Sequence, residues 1–181
     1  MKRIGIIVVA GWIAGLAGCR TVPETSEAKA VKSAEVIEAI AAFKAKDPGI
    51  AVYFKESAGY AVLPKVFKAG LWVGGAGGTG EVYQADNHIG YCRLSQATLG
   101  FSFGGEFFRE IIFFQSPRDL DKFRTGEFTF SAQATAVALE AGAAAKADYK
   151  DGMAVFIMTD KGLMVDASIG GQKFTYIDKQ P

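Results

Sequence analysis

Runs of aromatic and β-branched residues, separated by glycines, extend from Tyr60 almost to the end of the chain. This texture is typical of antiparallel strands joined by tight turns, and it limits the chain to a fold built around a sheet. The predicted strands cover residues 60–63, 71–76, 81–84, 88–94, 97–103, 106–114, 153–159, 163–169 and 172–177. Asp160-Lys161-Gly162 predicts a hairpin turn between two of them.

Helices are predicted on the amino-terminal side of the sheet. Between residues 26 and 46, small and apolar side chains recur at spacings of three and four, at Ser33, Val36, Ile37, Ile40 and Phe43. Asp47-Pro48-Gly49 ends this helix, because proline disfavours helical geometry in the residue before it. A second helix is predicted over 50–56, and a third over 117–124.

Residues 128–147 carry two conflicting patterns. Their many alanines favour a helix by propensity. Ser131, Gln133 and Thr135, however, alternate with alanines, and this period of two favours a strand as far as about Leu139. We predict the strand. The whole chain then predicts an α+β fold, with amino-terminal helices packed on a twisted antiparallel sheet that forms a sandwich or a partial barrel.

The first part of the chain predicts export and lipidation. Two cations precede an uncharged apolar run over residues 4–16, which is too short to span a bilayer but suits a secretory signal. The run ends in Leu16-Ala17-Gly18-Cys19, which resembles the lipobox of bacterial lipoproteins. We therefore expect a lipoprotein signal peptide over 1–18, a lipidated Cys19 with a tether over 19–26, and a single domain over 27–181. The alternatives are a transmembrane anchor and an ordinary secreted protein.

The residue after Cys19 predicts where the lipoprotein is delivered. Arg20 stands there rather than aspartate, which resembles the pattern of lipoproteins sent to the outer membrane of the bacterial cell envelope. We expect the domain to face the periplasm. Several acyl chains, palmitate among them, would hold it on the membrane, because each buried CH₂ contributes ~0.8 kcal/mol.

Charge and composition argue against several classes of function. With 20 Lys and Arg against 19 Asp and Glu, the formal net charge is +1, whereas nucleic-acid binding needs a cationic surplus. One His and two Cys are too few for a structural zinc site, so no metal or other cofactor is expected. Residues 75–80 match the dinucleotide fingerprint G-x-G-x-x-G, but a strand-forming segment follows where that site needs a helix. Close strand packing or a glycine-rich hairpin accounts for these glycines.

No arrangement of residues predicts an enzyme. His88 lies beside Asp86 and Asn87 in a predicted turn, yet the chain has no nucleophile elbow such as G-x-S-x-G. Cys92 lies in a strand-forming run, where a small buried hydrophobic side chain is expected. We therefore expect a non-catalytic protein. An enzyme acting on lipids, dependent on His88, is the alternative.

Residues 64–72 are predicted to form a turn between two strands that contacts a bilayer. Lys65 and Lys68 would bind lipid phosphate, while Phe67 and Trp72 would lie at the boundary between water and lipid. The alternative is that both lysines are solvated and both aromatic side chains belong to the core.

Several ordered blocks of the sequence resemble the SYLF-domain family, over about residues 33–177. The blocks are 58–64, 68–80, 110–114, 120–123, 151–156, 161–163 and 168–171. The resemblance implies phospholipid or phosphoinositide binding and no established catalysis. It transfers only Pro64 and Lys68 as a headgroup-binding turn. Some eukaryotic members bind actin, but this chain has no companion SH3 or FYVE-like module, so actin binding is not expected.

Together these observations predict an envelope lipoprotein whose SYLF-like domain binds phospholipid or a membrane surface without catalysis. The alternative is a structural envelope protein that binds another protein, in which the lipid on Cys19 serves only as an anchor.

Overall fold

The computed structural model describes residues 22–126, 129–130 and 136–179. The helices are α1 (Ser26–Lys46), α2 (Ala51–Glu56) and α3 (Pro117–Thr125), and short 3₁₀ turns cover Pro48–Ile50 and Ala144–Lys146. The strands are β1 (Gly59–Gly70), β2 (Val73–Gln84), β3 (Asn87–Phe114), β4 (Thr129–Phe130), β5 (Ala136–Ala138) and β6 (Met153–Asp178). Among these helices, none has both the length and the apolar character needed to cross a membrane. The predicted signal peptide and Cys19 lie outside the described residues.

Helix α1 begins and ends where the sequence predicts. The Thr25 hydroxyl caps its amino terminus and accepts a hydrogen bond of 3.1 Å from the helix backbone. Val36, Ala39 and Phe43 are buried against the sheet, from the middle of the helix onward. Ile37, which the spacing placed among the packing positions, is 66% exposed. The predicted packing of the amino-terminal helices is therefore only partly confirmed.

The strands are fewer and longer than predicted, because most glycines lie within strands and not between them. Each of β2, β3 and β6 covers two or three of the predicted strands. The predicted hairpin at Asp160-Lys161-Gly162 is wrong. Lys161 and Gly162 continue the pairing of β6 with β3, opposite Phe107 and Glu106.

Strand β3 changes its partner halfway along its length. Its residues 87–99 pair with β2, whereas residues 104–114 pair with β1, and β6 pairs with β3 on the other side throughout. Gly100 and Gly104, with φ of 126° and 116°, flank the point of change and adopt a conformation that L side chains disfavour. The bend at these glycines places the two halves of β3 in different parts of the sheet.

The α+β class is confirmed in outline, but the predicted sheet needs two corrections. The described strands form one sheet that does not close into a barrel. The sheet is mixed, because β5 runs parallel to β6 while the other pairs are antiparallel. Within 128–147, the described residues 129–130 and 136–138 are strand, as predicted, and residues 131–135 lie outside the described part.

The two faces of the sheet carry separate apolar clusters. Along β1, Ala61 and Leu63 belong to one cluster, whereas Tyr60 and Val62 belong to the other. Helix α3 packs on the first face, which we call the inner face. Helices α1 and α2 pack on the second, the outer face. They cover only part of it, and the uncovered part holds the candidate site.

Candidate functional site

One end of the sheet exposes large apolar side chains. The turn between β1 and β2 lies beside the bend of β3, where the backbone N–H of Gly100 donates to the carbonyl of Trp72 at 3.1 Å. The Trp72 and Phe101 rings meet edge to face, with centroids 5.5 Å apart. We call this end the apolar tip; its residues are Leu71, Trp72, Val73, Leu99, Phe101 and Phe103, each between 41% and 70% exposed. A contiguous exposed patch of this kind marks an interaction surface.

The structure separates the four residues predicted to contact lipid. The predicted turn over 64–72 is wrong, because β1 continues to Gly70 and only Leu71 and Trp72 connect it to β2. Side chains alternate along β1, so Lys65 and Phe67 lie on the outer face while Lys68 is buried on the inner face at 6% exposure. Lys65 and Phe67 thus share a surface with the apolar tip, and Lys68 does not join them.

Between the apolar tip and α1, the outer face of the sheet forms an open groove of about 670 Å³. Gly77 lies opposite Phe67 of β1 and Ser95 of β3, and Gly75 lies opposite Ala69 and Ala97. Because Gly75 and Gly77 have no side chains, the floor of this cavity is backbone. We call it the glycine groove. The groove accounts for part of the glycine-rich segment 75–80, for which close strand packing or a hairpin was predicted.

The end of the glycine groove away from the tip is cationic. Thr79 lies there between Lys65 of β1 and Arg93 of β3. The Lys65 ammonium stands 5.0 Å from the centre of the Phe107 ring. Lys32 of α1 also lines the groove and forms an ion pair of 2.7 Å with Glu35. These cations outnumber the one carboxylate of the lining, so an anionic group is favoured here.

A buried carboxylate fixes α1 at this end of the groove. Glu81 follows Thr79 on the outer face and is fully buried. It accepts a hydrogen bond of 2.8 Å from the Ser33 hydroxyl of α1 and one of 2.6 Å from the Tyr83 hydroxyl. Burial, and then this hydrogen bond, raise the pKa of Tyr83. The contact shows why a small polar residue stands at Ser33.

The inner face carries several buried polar side chains among its apolar ones. We call this set the polar layer; its residues are Lys68, Gln96, Thr98, Glu110 and Gln172. The Gln172 amide donates to one oxygen of Glu110 at 3.1 Å. Among the described residues, the other Glu110 oxygen, the Gln172 carbonyl oxygen and the Thr98 hydroxyl have no hydrogen-bond partner. Burial raises the pKa of Glu110 to about 8.

The polar layer was not predicted, although residues 95–99 carry one sequence pattern that indicates it. Residues 95–99 read Ser-Gln-Ala-Thr-Leu, in which the polar Gln96 and Thr98 occupy one face and Ala97 and Leu99 the other. The apolar face of such a strand is usually the buried one. Here the assignment is reversed, because the inner face at this end of the sheet is polar and the outer face carries the apolar tip.

The residues considered for catalysis do not form a reactive pair. His88 contacts the carbonyl of Gly90 at 3.0 Å, and burial lowers its pKa. Cys92 is buried, as predicted, and burial raises the pKa of its thiol. The predicted turn at Asp86 is confirmed by its positive φ of 61°, and its carboxylate accepts a hydrogen bond from Tyr60. In the described ranges, no three His, Cys, Asp or Glu side chains are grouped as metal ligands.

Similarity to known proteins covers much of the domain. Residues 95–179 match the Ysc84 family model, described as "Las17-binding protein actin regulator". The chain is also 30% identical, over 135 residues, to "Beta cell expansion factor A" of Aeromonas veronii. That alignment covers 74% of this chain and 51% of the Aeromonas protein. The chain therefore spans about half the length of the curated relative it matches.

Proposed function

Because this chain belongs to the SYLF family, as the Ysc84 match and the Aeromonas relative establish, we propose that its domain binds anionic phospholipid membranes through the apolar tip. The observation that carries the proposal is the exposure of Trp72, Leu99 and Phe101 together at one end of the sheet. In water much of the apolar surface of these side chains remains in contact with solvent. Their transfer into lipid is favourable by about 25 cal/mol for each Å² of apolar surface removed from water.

The charge beside the tip supports an anionic surface as the target. Lys65 and Arg93 lie on the same face of the sheet as the tip residues Val73 and Leu99. Each Lys or Arg near an anionic membrane contributes about 1 kcal/mol, and this contribution is screened by salt. The proposed binding therefore combines insertion of the tip with attraction of the cations to lipid headgroups.

A lipid on Cys19 would keep the domain at the membrane and make this weak contact effective. The lipobox and Arg20 support a lipoprotein of the bacterial outer membrane that faces the periplasm. The tether is short, so the tip would remain close to the bilayer at a high effective concentration. We propose binding without catalysis, because the described contacts of His88 and the burial of Cys92 do not suit either residue to catalysis.

The second candidate is binding of an envelope protein through the same apolar tip, with the lipid serving only as an anchor. The exposed aromatic side chains favour it as well, because aromatic residues are enriched at protein interfaces. The matched family's description names a Las17-binding protein. Actin or a Las17-like partner is not proposed for this chain.

Vesicle flotation tests the proposal. Residues 20–181, which lack Cys19, are mixed with neutral phosphatidylcholine vesicles or with vesicles containing phosphatidylglycerol, at low and moderate salt. We expect salt-sensitive binding to the anionic vesicles. The double variant Trp72→Ser/Leu99→Ser should lower the partition coefficient at least tenfold, because it removes apolar surface from the tip.

The control removes exposed apolar surface that lies away from the tip. Ile37 and Val52 are 66% and 45% exposed and lie on helices α1 and α2. The double variant Ile37→Ser/Val52→Ser should bind vesicles as the parent chain does. Equal losses in both double variants, or no loss in either, would contradict the role of the tip. An absence of binding to every vesicle would favour the protein-partner alternative.

A further inference from the structure

The outer face changes from apolar to cationic along one line of the sheet. Starting at the tip, β2 presents Val73, then Gly75, Gly77 and finally Thr79. The neighbouring positions follow the same order: Leu99 of β3 lies opposite Val73, and Arg93 lies opposite Thr79. The glycine groove is therefore an amphipathic channel, with apolar side chains at one end and cations at the other.

The dimensions of this channel match those of a lipid monolayer. Thr79 lies six residue steps after Val73 in β2, which corresponds to about 20 Å at about 3.4 Å per residue. Half of a bilayer is about 20 Å thick with its headgroups, and about 15 Å of this is hydrocarbon. When the tip is immersed in lipid, Lys65 and Arg93 stand at the level of the headgroups. A volume of about 670 Å³ also falls within the range of small-molecule sites.

The floor of the groove is open because of the residue at its centre. A Cβ atom added at Gly77 would meet only the Leu94 carbonyl, at an ordinary contact distance of 3.7 Å. Neither crowding nor backbone conformation thus explains why Gly77 lacks a side chain. By contrast, the inward Gly78 faces the β1 backbone, and a Cβ there would lie 2.8 Å from the Lys65 carbonyl oxygen.

We propose that the glycine groove holds one acyl chain of an anionic membrane phospholipid, with its headgroup beside Lys65 and Arg93 and its tail directed toward the apolar tip. The proposal rests on the membrane-binding function and adds a stoichiometric lipid site to it. Charge complementarity selects the headgroup end, and the backbone floor with Phe67 as a wall accommodates the chain. The continuity of groove and tip lets the chain enter directly from the bilayer.

Calorimetric titration of residues 20–181 with dihexanoylphosphatidylglycerol, kept below its critical micelle concentration, tests the site. We expect saturable binding of one molecule per chain. The variant Gly77→Leu should weaken this binding at least tenfold, because its side chain fills the groove. The variant Ala41→Leu adds the same side chain on the exposed surface of α1 and should bind as the parent chain does.

Two further arms separate the chain and headgroup contributions. Glycerophosphoglycerol, which has the headgroup without chains, should bind at least tenfold more weakly than the short-chain lipid. The variant Lys65→Glu, which changes an exposed residue and leaves the packing intact, should lose the preference for dihexanoylphosphatidylglycerol over dihexanoylphosphatidylcholine. Equal affinity of the parent chain and Gly77→Leu, or no saturable binding by the parent chain, would overturn the proposal.

The site and the proposed membrane binding can fail separately. Gly77→Leu keeps the apolar tip and should still float with phosphatidylglycerol vesicles. Trp72→Ser/Leu99→Ser should lose flotation, whereas binding of the soluble lipid is compared between Gly77→Leu and Ala41→Leu, neither of which changes the tip. Loss of both kinds of binding in Gly77→Leu, with the fold intact by circular dichroism, would contradict the separation of groove and tip.

Discussion

Replacing Glu110 with glutamine is expected to remove a large pH dependence from the free energy of unfolding. The Glu110 carboxyl is fully buried in the polar layer, and burial raises its pKa from a usual value of 4.5 to about 8. The folded state therefore holds a proton that the unfolded state releases. The stability linked to this proton is complete below about pH 4.5 and is lost as the pH rises through about 8.

The expected size of this effect follows from the two pKa values. At about 1.4 kcal/mol per pH unit, the interval from 4.5 to about 8 corresponds to a loss of about 5 kcal/mol. Glutamine stays neutral at every pH, and its amide can donate to the Gln172 carbonyl oxygen, which lacks a described partner. Glu110→Gln should match the parent chain near pH 4.5 and exceed its stability at pH 8.

Urea unfolding followed by circular dichroism, repeated from pH 4.5 to 8.5, measures the difference. Glu140→Gln is the matched control, because Glu140 is exposed and its substitution should leave the pH profile unchanged. Parallel profiles for Glu110→Gln and the parent chain would show that Glu110 titrates normally in the folded protein.

Replacing Gly80 with alanine is expected to cause the largest loss of stability from a single added methyl group. A Cβ atom at this position would lie 2.0 Å from the Val62 carbonyl oxygen and 3.0 Å from the Leu63 Cα. Gly80 also pairs with Cys92 on its other side, so β2 cannot move away from β1 without breaking its ladder with β3. We expect a loss of at least about 3 kcal/mol, because overpacking against backbone cannot be relieved by a rotamer change.

Gly77→Ala is the control for this variant. It adds the same methyl group to the same strand, but the nearest atom would be 3.7 Å away. Its unfolding free energy should stay within about 0.5 kcal/mol of the parent value, as is usual for uncrowded surface positions. Thermal and urea unfolding of both variants provide the comparison, and equal effects at the two glycines would refute the packing argument.

The helices could be predicted from the sequence because their limits are set by nearby residues. Asp47-Pro48-Gly49 ends α1, and Gly126, with a φ of 73°, ends α3. The meaning of a glycine inside the sheet depends on distant partners. Residues 160–162 carry the composition of a turn, yet they continue a strand because the far half of β3 lies beside them.

The orientation of Lys68 shows a second limit of sequence patterns. The pairing of β1 with both of its neighbours shifts register between Val62 and Val66. This irregularity changes which residues of β1 face outward, so alternation read from Tyr60 does not extend to the end of the strand. The outward position of Lys65 and the burial of Lys68 become evident only when the partners are known.

Some residues near the apolar tip could be predicted to contact a membrane, but the contact between its two segments could not be predicted. Phe67 and Trp72 were recognised as candidates for membrane contact, whereas Leu99, Phe101 and Phe103 were assigned to a separate strand. They come together because Val73 pairs with Leu99 and the bend at Gly100 lies against the turn of Trp72. No local pattern encodes a contact between segments so far apart in the chain.

The long pairing of β6 with β3 also determines the order in which the sheet can be assembled. Phe114 pairs with Met153, and Gly90 pairs with Asp178, so one side of β3 has no partner until β6 has been synthesised. Until then the nascent chain presents a long unsatisfied strand edge, which is prone to aggregation. Because the contacts that cover it are distant in sequence, we expect the final step of folding to be slow. A holding chaperone would therefore protect this protein most during the interval between the synthesis of β3 and that of β6.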